Sequence, residues 1–499
     1  MKTTTLTQES MIATDQDWKS IPVASFLTNT SPGHMAKWHL LLALFFGAVA
    51  VIAAAALRVE LLSPALNAMQ PRTFGALLTL HGTLLVYFVA LPAFPGILGH
   101  AMLSAVPGYR SAFPRLAPLS WQLLALGGAI VLSGFVMGGS EVGWSFDAAF
   151  NGRFDQPGVI SMAGGVLIAA IAIVILAVEA IVSGVMMLRE PQRTSRSLPL
   201  VLSSLCGACI MVFAAPILAT CMVSILADAV WGLSLFQVDA GGDPLLFLAF
   251  MRAFLVLVPG ALLIQAFGVA FDVIIQRCQV RELPRLLLPL MAVMTLLTLS
   301  GPFWGGYFLR DAAASSPSTM AGMSAPYLIL SILMLIQLQR VMRSGLKKVD
   351  APLIYALGFF VTLIEGLGAG MLLSLAYGGD YLNGTLFVTA QMHLVVLAVL
   401  GMGFIAGLYA CWQRLTGRVA LDFPSRLGAL LVIGGTQLTF VPMMALGFRG
   451  ASFRANAYPG EFQILQVMIT AGSTILIAGL AIAALTLLVS RKSPRLAAT

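Results

Sequence analysis

The sequence predicts an all-α polytopic membrane protein of twelve transmembrane helices, and three observations carry that reading. The 499 residues are 59% hydrophobic and 10% charged, with a mean hydropathy of +0.94, far from the average soluble domain. Apolar runs long enough to cross hydrocarbon as helices recur along the whole chain. The basic residues alternate from loop to loop, as a multi-pass topology requires. Spanning β-strands are excluded, because they would alternate polar and apolar residues over short segments.

Residues 1–37 are polar and lack the apolar core of a secretory signal peptide. They read as a short cytoplasmic arm carrying Lys2, Lys19 and Lys37. Span one (38–57) ends on the outer side at Arg58, and span two (75–98) runs back inward to Arg110 and Arg115. Spans three (118–138) and four (159–187) return the chain to Arg189, Arg193 and Arg196. Spans five (199–226) and six (245–275) lead to Arg277, Arg281 and Arg285. Spans seven (286–306) and eight (324–340) close on Arg340, Arg343, Lys347 and Lys348. Spans nine (351–377) and ten (384–412) precede Arg414, Arg418 and Arg426. Spans eleven (427–448) and twelve (463–489) lead into a tail, 490–499, with Arg491, Lys492 and Arg495.

Of 28 Lys and Arg, 21 thus lie on the arm, every second loop and the tail, and six (Arg58, Arg72, Arg153, Arg310, Arg449, Arg454) on the intervening loops and span edges. Arg252 alone is intramembrane. This positive-inside pattern places both termini in the cytoplasm. The net charge of +8 records topology and excludes a nucleic-acid partner. With no internal repeat and no interrupting soluble segment, 38–489 reads as a single membrane domain in contact with lipid. The five cysteines form no disulfide or zinc framework. Cys206 and Cys209 sit among Ser203, Ser204, Gly207 and Ala208, where small residues serve helix contacts better than redox chemistry.

Only two of the five histidines, His81 and His393, fall well inside long apolar segments. Ionisable side chains are costly there, so each marks a functional site. By helix rise both lie about 9–14 Å below the outer surface. Depth alone leaves two readings. One is an axial pair for a haem iron, as in low-spin b-type cytochromes; the other is two unrelated histidines, each hydrogen-bonded within the bundle. Arg58 and Arg454, on the outer side, suit haem propionates or are membrane-edge residues reaching water.

At these residues the chain resembles subunit I of the haem–copper oxidases, the catalytic subunit of cytochrome c oxidase, over nearly its whole length. Leu57-Arg58-Val59-Glu60-Leu61 is similar to the R-x-E-L segment, whose Arg lies beside the low-spin haem. His81-Gly82 followed by Leu91-Pro92 resembles H-G…M-P, whose His is a low-spin haem ligand. Ala112-Phe113-Pro114-Arg115 and Gly143-Trp144 match A-F-P-R and G-W, and Gly241-Gly242-Asp243-Pro244 matches G-G-D-P. Thr385 to His393 (TLFVTAQMH) lines up with T-Y-Y-V-V-A-H-F-H, and Thr416-Gly417-Arg418 with T-G-R. Phe440 to Gly447 (FVPMMALG) resembles F-F-P-Q-H-F-L-G. Arg454 corresponds to the second Arg of the R-R pair beside the propionates, with Phe453 at the first.

The resemblance also shows what is missing. The proximal His of the oxygen-binding haem corresponds to Gln391. The H-P-E-V-Y segment, carried ungapped from G-G-D-P, puts Val256 at the copper His, Val258 at the Glu and Gly260 at the Tyr. The H-H pair falls at Gly305-Gly306, or at Gly301-Pro302 in a shifted register. The Asp before A-F-P-R corresponds to Arg110, span eight lacks the channel Lys, and the magnesium-binding H-D reads Asn383-Gly384. Copper needs imidazole or thiolate donors, so no copper, no oxygen reduction and no proton pumping are expected.

Arg252 stands where the family has a Trp near the copper. Its charge either occupies the emptied metal cavity, paired with a propionate or internal acid, or reaches to the outer interface. Glu179, Asp228 and Glu365 read as helix-contact or interface acids.

The expectation is a haem–copper oxidase subunit I-like bundle in a bacterial inner membrane, holding one low-spin haem, b-type by default, between His81 and His393. Such a subunit passes electrons laterally, or exchanges them with quinone. Its partners would be a periplasmic c-type cytochrome or cupredoxin-like subunit II and other respiratory-complex subunits. A haem-free scaffold or assembly subunit, and a terminal oxidase as the resemblance would imply, are the alternatives.

Overall fold

The computed structural model describes residues 28–64, 66, 68–106, 109–146, 156–189, 197–278, 283–304, 324–374 and 381–492. Most of the N-terminal arm, most of the tail, and Gly305-Gly306 lie outside these. In chain order the helices are α1 (Pro32–Glu60), α2 (Pro71–Leu103), α3 (Ala117–Val136), α4 (Pro157–Leu188), α5 (Leu198–Trp231), α6 (Pro244–Ile275), α7 (Leu287–Trp304), α8 (Ser324–Arg343), α9 (Ala351–Ser374), α10 (Leu386–Thr416), α11 (Asp422–Phe448) and α12 (Gln463–Leu488). Among the described residues, eleven are long and apolar enough to cross a membrane, and Leu287–Phe303 of α7 is a shorter apolar helix. The chain is a multi-pass membrane bundle.

Helices α1 to α6 each carry proline in the first turn, where its missing N–H costs nothing. Asp243 of the G-G-D-P segment caps α6, accepting from the Leu245 and Leu246 amides at 3.0 and 3.2 Å. Small residues let backbones approach. Gly435 of α11 packs against the backbone of Leu476, and Gly472 of α12 against that of Leu438 and Thr439. The core lies between α6, α9 and α10, where Phe267, Phe271, Phe359 and Phe360 interlock edge to face and are at most 1% exposed. Two-residue strands β1 (Arg418–Val419) and β2 (Arg491–Lys492) pair antiparallel after α10 and α12.

Two boundaries move the histidines. α1 begins at Pro32, before the expected 38, and α2 continues to Leu103 instead of 98. His39 and His100 are therefore buried too, 1% and 4% exposed, with ring centroids 5.9 Å apart. That corrects the expectation of only two histidines deep in apolar helices. Composition places a helix end only loosely: Lys37 and His100 interrupt the apolar runs without stopping either helix.

Both histidine-bearing helices widen behind the ring. α2 turns π-helical over Leu84–Ala90 and Ala93–Leu103, and α10 over Leu397–Phe404. Such turns recur at functional sites. There the two helices also touch, Phe94 against Phe404 with centroids 6.0 Å apart, and Gly407 against Leu98 and Met102.

Candidate functional site

His81 and His393 come together from α2 and α10, with ring centroids 6.1 Å apart and planes 11° from parallel. A metal held axially by two imidazoles at roughly 2 Å per bond puts the ring centres about 6 Å apart. Nδ1 of His81 donates to the Ala50 carbonyl of α1 at 2.9 Å, and Nδ1 of His393 to the Thr389 carbonyl at 2.7 Å. A carbonyl only accepts, so Nδ1 carries the proton in both rings and each Nε2 keeps its lone pair. Neither ring is fully buried, so open surface remains beside the pair. Phe440 of α11 lies parallel to the His393 ring at 5.0 Å.

The motif residues gather round His81. Gly82 packs directly on the Trp144 indole, and the Tyr87 hydroxyl donates to the Trp144 carbonyl at 2.9 Å. The Gly143 amide donates to Thr79 Oγ1 at 3.1 Å. Arg454 reaches the same corner, with Nη2 against Gly143 and its guanidinium 5.2 Å from the Phe453 ring centroid.

Arg58 lies eight residues beyond Ala50 on α1, about 12 Å by helix rise. Its Nη2 donates to Gln466 O (3.0 Å), Gln466 Oε1 (2.8 Å) and Thr470 Oγ1 (2.8 Å) of α12. Its Nε is buried without a partner. A buried, unpaired guanidinium N–H is costly, and a carboxylate or carbonyl oxygen would satisfy it. The four candidate residues thus offer a haem two axial nitrogens and cationic donors, and the group fits. Sequence reasoning missed Gln466 and Thr470. The signal was a polar pair four residues apart on one face of a largely apolar helix.

At the positions that the resemblance assigns to the oxygen centre, Val256 and Val258 are buried in α6. Gly260 packs against Thr298 and Tyr327, whose hydroxyls are 2.5 Å apart. Gln391 donates from Nε2 to the Gly366 carbonyl at 3.3 Å. Among the described residues no group of three or more His, Cys, Asp or Glu converges on a point. Gly301-Pro302 lies in the last turn of α7. Arg252 is half-buried between Met251 and Ala253, which are fully buried.

The other acids hold structure. Glu179 accepts from Ser111 Oγ (2.6 Å), the Ala112 and Phe113 amides (3.0 and 2.8 Å) and Ser183 Oγ (3.3 Å), pinning the A-F-P-R segment to α4. Asp228 accepts from the Leu235 amide at 2.6 Å at the end of α5. Glu365 is half-buried in α9. Cys206 and Cys209 are free thiols, and Gly207 between them packs on Gln265 of α6.

The family model described as cytochrome c and quinol oxidase polypeptide I matches residues 34–475. Cytochrome c oxidase subunit 1 of Synechocystis is 24% identical over 435 residues, covering 85% of this chain and 77% of that protein. The subunit 1 of Cereibacter sphaeroides is 26% identical over 405 residues, covering 78% and 70%. A heme-copper terminal oxidase dimer solved by cryo-EM shares the fold, with a TM-score of 0.73 at 13% identity over 95% of this chain and 85% of that one. From the helical bundle, the ordered motifs and a family match over most of its length, the chain belongs to the cytochrome c and quinol oxidase polypeptide I family.

Proposed function

We propose that this chain is a membrane electron-transfer subunit that holds one low-spin haem between His81 and His393 and has lost the oxygen-reducing centre of its family. The observation that carries the proposal is the ring pair itself, 6.1 Å between centroids with both Nδ1 atoms committed to backbone carbonyls. Those two hydrogen bonds fix each tautomer and orient each ring, leaving Nε2 as the ligand atom. A haem bound there would supply a one-electron iron couple. Arg58 and Arg454 would hold its propionates, keeping the negative charge near the outer face.

The residues at the oxygen-centre positions support the loss. Valine and glycine offer no lone pair to a copper ion, and the Gln391 amide already donates to a helix carbonyl. The loop-by-loop charge alternation supports placement in a bacterial inner membrane with both termini cytoplasmic and the histidine pair toward the periplasm. A periplasmic c-type cytochrome or cupredoxin-like subunit II would then reach the site, with other respiratory subunits alongside. The haem is taken as b-type, and 38–489 as one membrane domain.

The test is a haem and metal analysis of the purified chain with visible spectra. One haem per chain, a sharp reduced alpha band lost in His81→Ala and in His393→Ala, and no stoichiometric copper are expected. Protein purified without haem would favour a scaffold role. Bound copper with oxygen consumption would make it a terminal oxidase.

A further inference from the structure

A cavity of about 330 Å³ opens between α5 and α6, beneath the loop that joins them. A volume of this size holds a small ligand or part of a larger one. One side is aromatic: Phe236 of the loop meets Phe247 of α6 edge to face at 5.4 Å, and Phe250 lines the cavity about one turn further on. On the α5 side Thr220 lines it and is itself exposed. Thr220 shares a helix face with Phe213, which is 59% exposed, so the mouth opens toward lipid.

The loop wall is locked in place. A Cβ at Gly242 would collide with the Ser234 and Leu235 carbonyl oxygens. The Gly242 and Asp243 amides donate to the Gln237 and Leu235 carbonyls, each at 2.9 Å, and the Ala240 and Gly241 amides to the Gln237 and Val238 carbonyls at 3.1 and 3.0 Å. The Leu235 amide is taken by Asp228. Thr220 Oγ1 donates to the Pro216 carbonyl at 3.0 Å and Ser224 Oγ to the Thr220 carbonyl at 2.8 Å. With those protons spent, both hydroxyls turn only lone pairs to the cavity. Asp243 lines it too; its Oδ1 takes the Leu245 and Leu246 amides, which leaves Oδ2 for a ligand. No Lys or Arg lies between Arg196 and Arg252, whereas the loop carries Asp239 and Asp243. A ligand that fits brings an apolar body, positive charge and its own N–H donors.

We propose that this cavity seats one phospholipid with a primary ammonium headgroup, an acyl chain lying against Phe236, Phe247 and Phe250 and the ammonium bound to Asp243. A charge-assisted N–H···O bond to a carboxylate is among the stronger polar contacts. An anionic headgroup would meet acceptors and like charge there, and a quaternary ammonium carries charge without an N–H. Trp231, 71% exposed at the end of α5, stands where aromatic side chains meet headgroups. The site is separate from the histidine pair and does not depend on a haem.

The experiment is lipid binding to the delipidated full chain in mild detergent, with bound lipid counted by native mass spectrometry. Phosphatidylethanolamine should bind at one per chain, about tenfold tighter than phosphatidylcholine or phosphatidylglycerol, as one charge-assisted hydrogen bond warrants. Asp243→Asn, whose amide oxygen still caps α6, should lose that preference. Thr220→Phe, which fills the mouth from α5, should lose the bound lipid. Asp239→Asn, the same charge change outside the cavity, should bind as wild type. Equal binding of the three lipids by the wild type would overturn the inference. So would an Asp243→Asn chain that keeps the preference, an Asp239→Asn chain that loses it equally, or a Thr220→Phe chain that retains the lipid.

Discussion

Replacing Gly82 with alanine tests whether the contact beside His81 is as tight as the structure makes it. A methyl group there would lie 2.5 Å from Cδ1 of Trp144, 2.7 Å from Cγ and 2.9 Å from Cβ. The Trp144 backbone and its Cβ cannot simply retreat, because the Trp144 carbonyl is held by the Tyr87 hydroxyl from the same helix at 2.9 Å. Overpacking of this kind costs about 1–3 kcal/mol. Trp144→Ala alone removes a large half-buried side chain, at a cost of about 3 kcal/mol. In the double variant the methyl meets no ring and only the 2.9 Å contact with Cβ persists, so the two costs should fall short of additive by about 1–2 kcal/mol. Thermal unfolding in detergent of the four proteins, with the alpha band recorded in parallel, measures both stability and ligation. Gly82→Ala protein that melts with wild type, or costs that add within about 0.5 kcal/mol, would refute the reasoning.

Two further outcomes are expected. Asp350, before α9, is bound bidentately by Arg277 at 2.5 and 3.0 Å, with Lys348 at 3.6 Å. Burial pushes its carboxyl up, but the Arg277 hydrogen bonds and charge outweigh that and hold it below its usual value. The stabilisation is therefore present above the unfolded pKa and lost as pH falls through the lowered folded one. Asp350→Asn should cost about 3 kcal/mol at neutral pH, and its gap to wild type in melting should narrow only below about pH 4; a gap that closes above pH 5 contradicts this. Gly472→Val should drive α12 off the Leu438–Thr439 backbone and lower the melting temperature sharply, whereas Gly434→Ala, with no neighbour within 4 Å, should leave it unchanged or slightly raised. Equal melting of the two variants would show that α11 and α12 do not pack through that seam.

Much of the fold was legible because long apolar runs separated by alternating basic loops admit few architectures. The histidine pair was legible too, since an ionisable side chain deep in hydrocarbon has few reasons to be there. Helix ends were not: His39 and His100 appeared to be edge residues until α1 and α2 proved longer. The partners of Arg58 were also hidden. Gln466 and Thr470 lie more than 400 residues away, and a polar pair on one face of α12 does not say which distant side chain it meets. The A-F-P-R segment was readable as a motif, but its attachment through Glu179 depends on loop geometry that spacing does not encode.

The place where α2 and α10 touch, at Phe94 and Phe404 and at Gly407, lies some 20–25 Å along α2 from His81. It acts as a fulcrum. A fraction of an ångström gained there, multiplied along two stiff rods, changes the clearance between the imidazoles at the far end. Bulk introduced at Gly407 would therefore respace the His81 and His393 rings from a position where neither ring is in sight.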